Sequence, residues 1–266
     1  MRFLAAQDVS SPLALADDLA IHAENLAVLP HLPAARFDLV YIDPPFNTGA
    51  RRALHAISYA DAHDDLPAFL APRLEHAHRV LASHGTLYFH IDYREAHYCK
   101  VLLDSIFGRA NFLNEIIWAY DYGARATRRW PAKHDTILVY VKDRERYHFD
   151  AAAVDREPYM APGLQTPERL ARGKLPTDVW WHTIVPTTSR ERTGYPTQKP
   201  EGIVRRMVAA SSRPGGWCLD FFAGSGTLGA VAAQLGRRFV LVDESADAIA
   251  VMRARLTPES PAKAAV

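Results

Sequence analysis

The chain has 266 residues, 48% of them apolar, and a formal net charge of +1. This is enough apolar material for one sizeable α/β domain, and the near-neutral balance excludes a global basic field, so a nucleic acid would be met by local patches. The two distant cysteines, Cys99 and Cys218, have no metal-ligand spacing and exclude a disulfide framework and a zinc site; no apolar run is long enough to span a bilayer.

The N-terminal stretch MRFLAAQDVSSPLALADDLA is interrupted by Asp8, Asp17 and Asp18 and lacks a signal-peptide pattern, which points to a soluble, unprocessed, cytoplasmic protein with no membrane partner. Short apolar runs followed by turn signals then recur: FDLVYI before Asp43, GTLYFHI before Asp92, TILVYVK ending at Lys142, WCLDFF before Ala223 and RFVLV before Asp243. Their length and their Val, Ile, Tyr and Phe content predict buried strands. Helical patterns lie at Leu66–Ser83, Glu95–Phe107, Pro200–Ser212, Thr227–Leu235 and Ala246–Leu256, the first with a core stripe of Phe69, Leu70, Leu74, Ala77 and Leu81. This alternation predicts an α/β fold: a Rossmann-like, mostly parallel sheet with helices on both faces, in one domain over 1–266. Residues 143–196 break the rhythm with prolines, charges and the aromatic DVWWHTIVP, and are read as a functional insertion without a regular period. The tail after Thr257 is expected to fray.

Two stretches carry chemistry. The first strand runs into Asp43, Pro44, Pro45 and Phe46; alone, Asp-Pro-Pro is an ordinary strand-ending turn. In the second, Gly224, Gly226 and Gly229 satisfy GxGxxG between a strand and a helix, and Asp243 ends the next strand. Glycines that admit a ligand to the backbone, with an acid for ribose hydroxyls, indicate a nucleoside site, and a nicotinamide-linked oxidoreductase is one reading. Only about one helix and a tail follow Asp243, however, so strands from earlier in the chain must complete the sheet. In such a sheet Asp43–Phe46 and the glycine turn can face one cleft at a topological switch point.

DPPFNTG early, YPTQKP, and DFFAGSGT late resemble the exocyclic-amino DNA methyltransferases, which modify N6 of adenine or N4 of cytosine. The order of catalytic motif, variable region and cofactor motif resembles their circularly permuted β class, from about Ala23 to Leu256. The resemblance implies S-adenosylmethionine as cofactor, no metal, and double-stranded DNA as substrate. Asp43 and the carbonyl of Pro44 would hold the amino hydrogens, with Pro45 stiffening the turn and Phe46 stacking on a flipped base. Phe222, Ala223, Gly224, Ser225, Gly226 and Thr227 would cradle the cofactor, with Asp243 on its ribose and Asp220 orienting the loop or reaching its amino group. Thr197, Gln198 and Lys199 match the motif that flanks the methionine end, although TQKP alone is a helix start. Ala23-Glu24-Asn25 departs from the family's Gly-Asp-Asn, leaving Glu24 and Asn25 as the candidate adenine-side residues or, for Glu24, an ordinary surface acid. His90-Ile91-Asp92 lines the cleft or caps the next helix.

Arg125, Arg128, Arg129 and Lys133, around Trp130, form a stretch without acids that neutralises phosphates or stands as a solvated loop. Of Trp180 and Trp181, one is assigned to the core and Trp181 to DNA; Arg190, Arg192, Arg205 and Arg206 are candidates for DNA backbone contacts. Family tendency associates Asp-Pro-Pro-Phe with adenine, which makes N6-adenine methylation the reading and N4-cytosine methylation its alternative. The oxidoreductase and a catalytically silent DNA-binding module are the remaining rivals. The resemblance also implies a possible homodimer, since little chain follows the last motif to grip DNA, and a possible cognate restriction endonuclease.

Overall fold

The computed structural model describes residues 1–46, 51–54, 57–60, 65–123 and 125–257, with backbone alone at 51–54 and 57–60. Asn47, Thr48 and Gly49 of the first motif and the tail after Thr257 lie outside the described residues.

The five expected strands form: β3 (Phe37–Ile42), β6 (Leu81–Ile91), β8 (His134–Val141), β10 (Trp217–Asp220) and β11 (Arg238–Asp243), numbered with β1 (Arg2–Ala5), β2 (Leu19–His22), β4 (Arg51–Leu54), β5 (Ile57–Ala60), β7 (Phe112–Ala119) and β9 (Val179–Trp181). Nine of them make one sheet in the order β1-β2-β11-β10-β3-β6-β8-β7-β9, and β4 and β5 pair separately. From β1 to β6 every neighbouring pair is parallel. β8 runs antiparallel to both β6 and β7, and β9 closes the edge parallel to β7. The mostly parallel sheet expected from the alternation is therefore present, with a mixed edge.

Among the described residues six α-helices accompany it: α1 (Leu66–Val80), α2 (Ala96–Phe107), α3 (Pro167–Arg172), α4 (Glu201–Ser211), α5 (Thr227–Gln234) and α6 (Ala246–Leu256). The period of two along β3 splits its side chains between two cores. Val40 and Ile42 join Leu70 and Leu74 of α1 and Leu103 of α2. Leu39 and Tyr41 join Val204 and Val208 of α4, Val231 of α5 and Met252 of α6. Both faces are thus covered, as a parallel sheet requires.

Helix ends follow local chemistry. Asp65 caps α1 by accepting the Ala68 N–H at 2.9 Å, and Ser245 caps α6 by accepting that of Ala248 at 3.3 Å. α1 stops at Val80 rather than Ser83 because β6 begins at once at Leu81, which pairs with Phe37 of β3. Residues 143–196 are largely irregular, but α3 and the short β9 lie within them.

The chain leaves β3 through α1 to reach β6 on one side, and leaves β10 through α5 to reach β11 on the other. The two directions diverge between β3 and β10, which are themselves parallel neighbours. A crevice opens at the carboxyl ends of the strands at such a point.

Candidate active site

A cleft of about 1340 Å³ lies at those carboxyl ends. An acid follows or ends each of four parallel strands, and all four line it: Asp43 after β3, Asp92 after β6, Asp220 ending β10 and Asp243 ending β11. The first motif and the glycine-rich turn, 180 residues apart in the sequence, therefore share one wall system.

Asp43 is clamped from one side. Its Oδ2 pairs with the ammonium of Lys199, which also sits 4.8 Å from the centre of the Phe46 ring. Its Oδ1 is buried without a hydrogen-bond partner and stands 3.8 Å from Nδ1 of His90. Lys199, expected among the cofactor residues, thus spends its charge on Asp43. Phe46 lies 5.7 Å from the His90 ring and is half-buried.

The glycine-rich turn is built by backbone donors. Asp243 accepts the N–H of Gly224 at 2.8 Å and of Ser245 at 2.9 Å; Asp220 accepts the N–H of Phe222 at 3.0 Å. Burial pushes the Asp243 carboxyl up and pushes that of Asp220 well above the ordinary range, with Asp43 and Asp243 adding to the effect on Asp220. Phe222, Ala223, Gly224, Ser225 and Thr227 line the cleft. Gly224 has φ +48°, and a Cβ there would meet the Tyr195 ring at 3.1 Å. Gly226 serves a different purpose: at φ +71° it lies against α6, where a Cβ would come within 2.9 Å of Met252.

Thr197, Gln198 and Lys199 all border the cleft. The Gln198 amide holds its own loop, accepting from the Thr193 N–H at 2.8 Å and donating to the Glu191 carbonyl at 2.7 Å. On the other side, Asn25 donates to the Phe221 carbonyl at 3.0 Å, tying the N-terminal segment to the turn after β10. Arg73 of α1 donates to Asn25 at 2.7 Å and to Glu24 at 2.7 Å. Glu24 and Asn25 consequently line the cleft as a fixed pair.

Arg125 and Arg129 border the cleft, as do Tyr120, Tyr122 and His134. Lys133 pairs with Asp121 at 3.4 Å, and neither it nor Arg128 is among the cleft residues. Trp180 is 7% exposed and Trp181 74%, so Trp180 is the tryptophan of the core. Arg206 is drawn inward, bonded to Asp155 and Glu157 at 2.9 Å and lying 5.4 Å from Trp180; it anchors residues of the 143–196 segment to α4. Among the described residues no group of three or more metal-ligating side chains occurs, and no helix is long and apolar enough to cross a membrane.

Sequence reasoning missed Arg73, whose one signal was an arginine between the apolar Leu70 and Leu74. It also missed Asp135, which accepts from His90 at 3.1 Å and from the Tyr120 hydroxyl at 3.1 Å. Nothing local marks Asp135, because its partners come from other strands. Of the HIDYRE segment, Asp92 reaches the cleft and bonds Arg94 at 2.7 Å, while His90 is fully buried beneath it.

A family model described as DNA methylase matches residues 37–253. The chain is 32% identical over 244 residues to the DNA adenine methyltransferase YhdJ of Escherichia coli (strain K12), covering 89% of this chain and 81% of that protein. The fold resembles the crystal structure of the M1.HpyAVI–SAM complex, with a TM-score of 0.63 at 19% identity and coverage of 90% of this chain and 98% of that one. It also resembles PvuII DNA methyltransferase (cytosine-N4-specific), with a TM-score of 0.68 at 14% identity and coverage of 91% and 86%.

Proposed function

This chain belongs to the DNA methylase family, and from that premise we propose that it transfers a methyl group from S-adenosylmethionine to N6 of adenine in double-stranded DNA. The observation that carries the reading is the meeting of Asp43–Phe46 and the Phe222–Ser225 turn in one cleft at the switch point between β3 and β10.

The residues present fit the cofactor. Carboxylate oxygens of Asp243 keep lone pairs free after accepting two backbone N–H groups and can take ribose hydroxyls. Gly224 leaves open the space that a Cβ would fill, and Asn25, Glu24 and Asp220 supply further polar groups along the same wall. When bound, S-adenosylmethionine supplies an electrophilic methyl group on a sulfonium.

The chain's own residues prepare the nucleophile. An exocyclic amino nitrogen is a poor one because its lone pair is delocalised into the ring. The carboxylate of Asp43 and the carbonyl of Pro44, both cleft residues, are suited to accept the two N–H hydrogens and turn the lone pair towards the methyl group. Phe46 provides a face on which an extruded base can stack. Much of the acceleration then comes from positioning. Arg125 and Arg129 at the cleft border, with exposed Trp181 and Arg128, are proposed to meet DNA, and the 143–196 segment to read its target sequence. The proposal extends to a cytoplasmic location, a homodimer on DNA and a cognate restriction endonuclease, as the motif resemblance implies.

Native sequencing of unmethylated genomic DNA after incubation with the protein and S-adenosylmethionine tests this. N6-methyladenine in one short motif is the expected result. N4-methylcytosine would keep the chemistry and change the base, and the absence of both would overturn the reading.

A further inference from the structure

The last turns of α6 sit against the glycine-rich turn, and their side chains do not line the cleft. Met252, Arg255 and Leu256 fall three and four residues apart, on one helix face. Two of them touch down where side chains are missing. A Cβ on Gly226 would come within 2.9 Å of Met252, and one on Gly229 within 3.2 Å of Leu256. Gly229, the third glycine of the motif, thus serves this packing.

Arg255, on the same face, is 9% exposed at its side chain and divides its guanidinium between two segments. Nη1 donates to the Thr227 hydroxyl at 3.1 Å and to the Ser225 carbonyl at 3.2 Å, with the Ser225 hydroxyl at 3.4 Å. Nη2 donates to Glu201 Oε1 at 2.6 Å. Glu201 opens α4 directly after the TQKP segment, and its other oxygen accepts from Gln234 of α5 at 3.0 Å. Burial alone would raise the Glu201 carboxyl, but hydrogen bonds from Arg255 and Gln234, with the charges of Arg255 and Arg205, hold it below the ordinary range. The buried guanidinium therefore faces an anion.

Thr227 carries the connection onward. Its hydroxyl accepts from Arg255 and donates to the Lys199 carbonyl at 3.2 Å, and the Lys199 ammonium pairs with Asp43. Ser225 and Thr227 line the cleft, whereas Arg255 does not. One guanidinium thus joins the wall proposed to hold the cofactor to the segment that clamps Asp43.

We infer that Arg255 is a positioning residue that fixes the glycine-rich turn against the TQKP segment, so that cofactor and Asp43 keep one relative placement. The inference rests on the methyl-transfer reading, and no atom of Arg255 enters the chemistry. A guanidinium suits the task because it is a planar fork; the ammonium of a lysine is a single point and cannot serve Glu201 and the turn together.

Arg255→Lys tests this, with calorimetry of S-adenosylmethionine binding, thermal melts without cofactor, and single-turnover methyl transfer to unmethylated DNA at saturating cofactor. Lysine keeps a cation on Glu201, so Tm should stay within about 3 °C of wild type. Kd should rise about tenfold, as for one lost charge-assisted hydrogen bond. The saturated rate should also fall about tenfold, because the two reactants are no longer held in register. Arg255→Met, which leaves Glu201 without its cation, should show both losses and melt lower. Wild-type affinity or a wild-type saturated rate in Arg255→Lys overturns the inference. A loss of affinity in Arg255→Lys matched by a fallen Tm overturns it too, since a role in stability alone gives that result. A wild-type protein that methylates no DNA removes the methyl-transfer reading itself, and this inference with it.

Discussion

Lys199 and Asp43 are 156 residues apart in the chain, and their side chains form an ion pair at the head of the cleft. The pair joins the TQKP segment to the Asp-Pro-Pro-Phe turn. It leaves one Asp43 oxygen held and the other partnerless and buried, so the carboxylate has a fixed direction before any substrate arrives.

Lys199→Met should therefore slow transfer more than it weakens cofactor binding. A displaced carboxylate costs positioning, and a loss of about tenfold to a hundredfold in kcat is expected, with KM for S-adenosylmethionine within about threefold. Asp43→Ala should fold and bind the cofactor but lose about a thousandfold or more in transfer, because the acceptor itself is gone. Steady-state kinetics on both variants check this. A Lys199→Met protein whose defect lies wholly in KM would return Lys199 to the cofactor.

Asp220→Asn should stabilise the fold in a pH-dependent way. Burial raises the Asp220 carboxyl well above its ordinary value, so the folded state binds more protons than the unfolded one and stability falls as pH rises past the ordinary carboxylate range. Asparagine carries no such charge and can still accept the Phe222 N–H. The variant's gain in Tm should be absent at acid pH, where both states hold the proton, and grow as pH rises towards the raised value. Thermal melts across pH follow it; a gain independent of pH would contradict the cause.

The two glycines at 224 and 226 should fail differently. Gly226→Ala meets Met252 at 2.9 Å with a left-handed backbone, and should lose about 1–3 kcal/mol of stability. Gly224→Ala carries the same left-handed strain at φ +48° and also meets the flat Tyr195 ring at 3.1 Å on the cleft side, so it should add a loss of cofactor affinity to a similar loss of stability. Denaturant titration and cofactor binding, measured side by side, distinguish them.

Arg129→Ala should weaken DNA binding on all sequences and lower the slope of log affinity against log salt by about one phosphate contact. Arg128→Ala, outside the cleft border, should alter both less. Equal slopes for the two variants would move the DNA path away from the cleft.

The strands that bury one continuous apolar run, and the helices with a periodic apolar pattern, were legible because their signal is local. FDLVYI became β3 and Ala246–Leu256 became α6 with the expected ends. β2 and β9 were not, since four and three residues carry too little periodicity; β2 forms by pairing with β11 and β9 by pairing with β7. β7, with FLNEIIWA, mixes exposed and buried positions one strand in from the sheet edge and owes its register to β8.

The motifs Asp43–Phe46, TQKP and the glycine-rich turn were fixed by the sequence itself, because backbone stiffness, missing Cβ atoms and acid placement at strand ends are properties of adjacent residues. What those residues touch was decided only in three dimensions: Lys199 on Asp43, Arg73 on Glu24 and Asn25, Arg206 on Asp155, and His90 between Asp43 and Asp135. Each of these partnerships is a contact between charged or polar side chains from different elements. Such contacts leave no periodic trace in a sequence, because it is sheet order and strand register that bring the partners together.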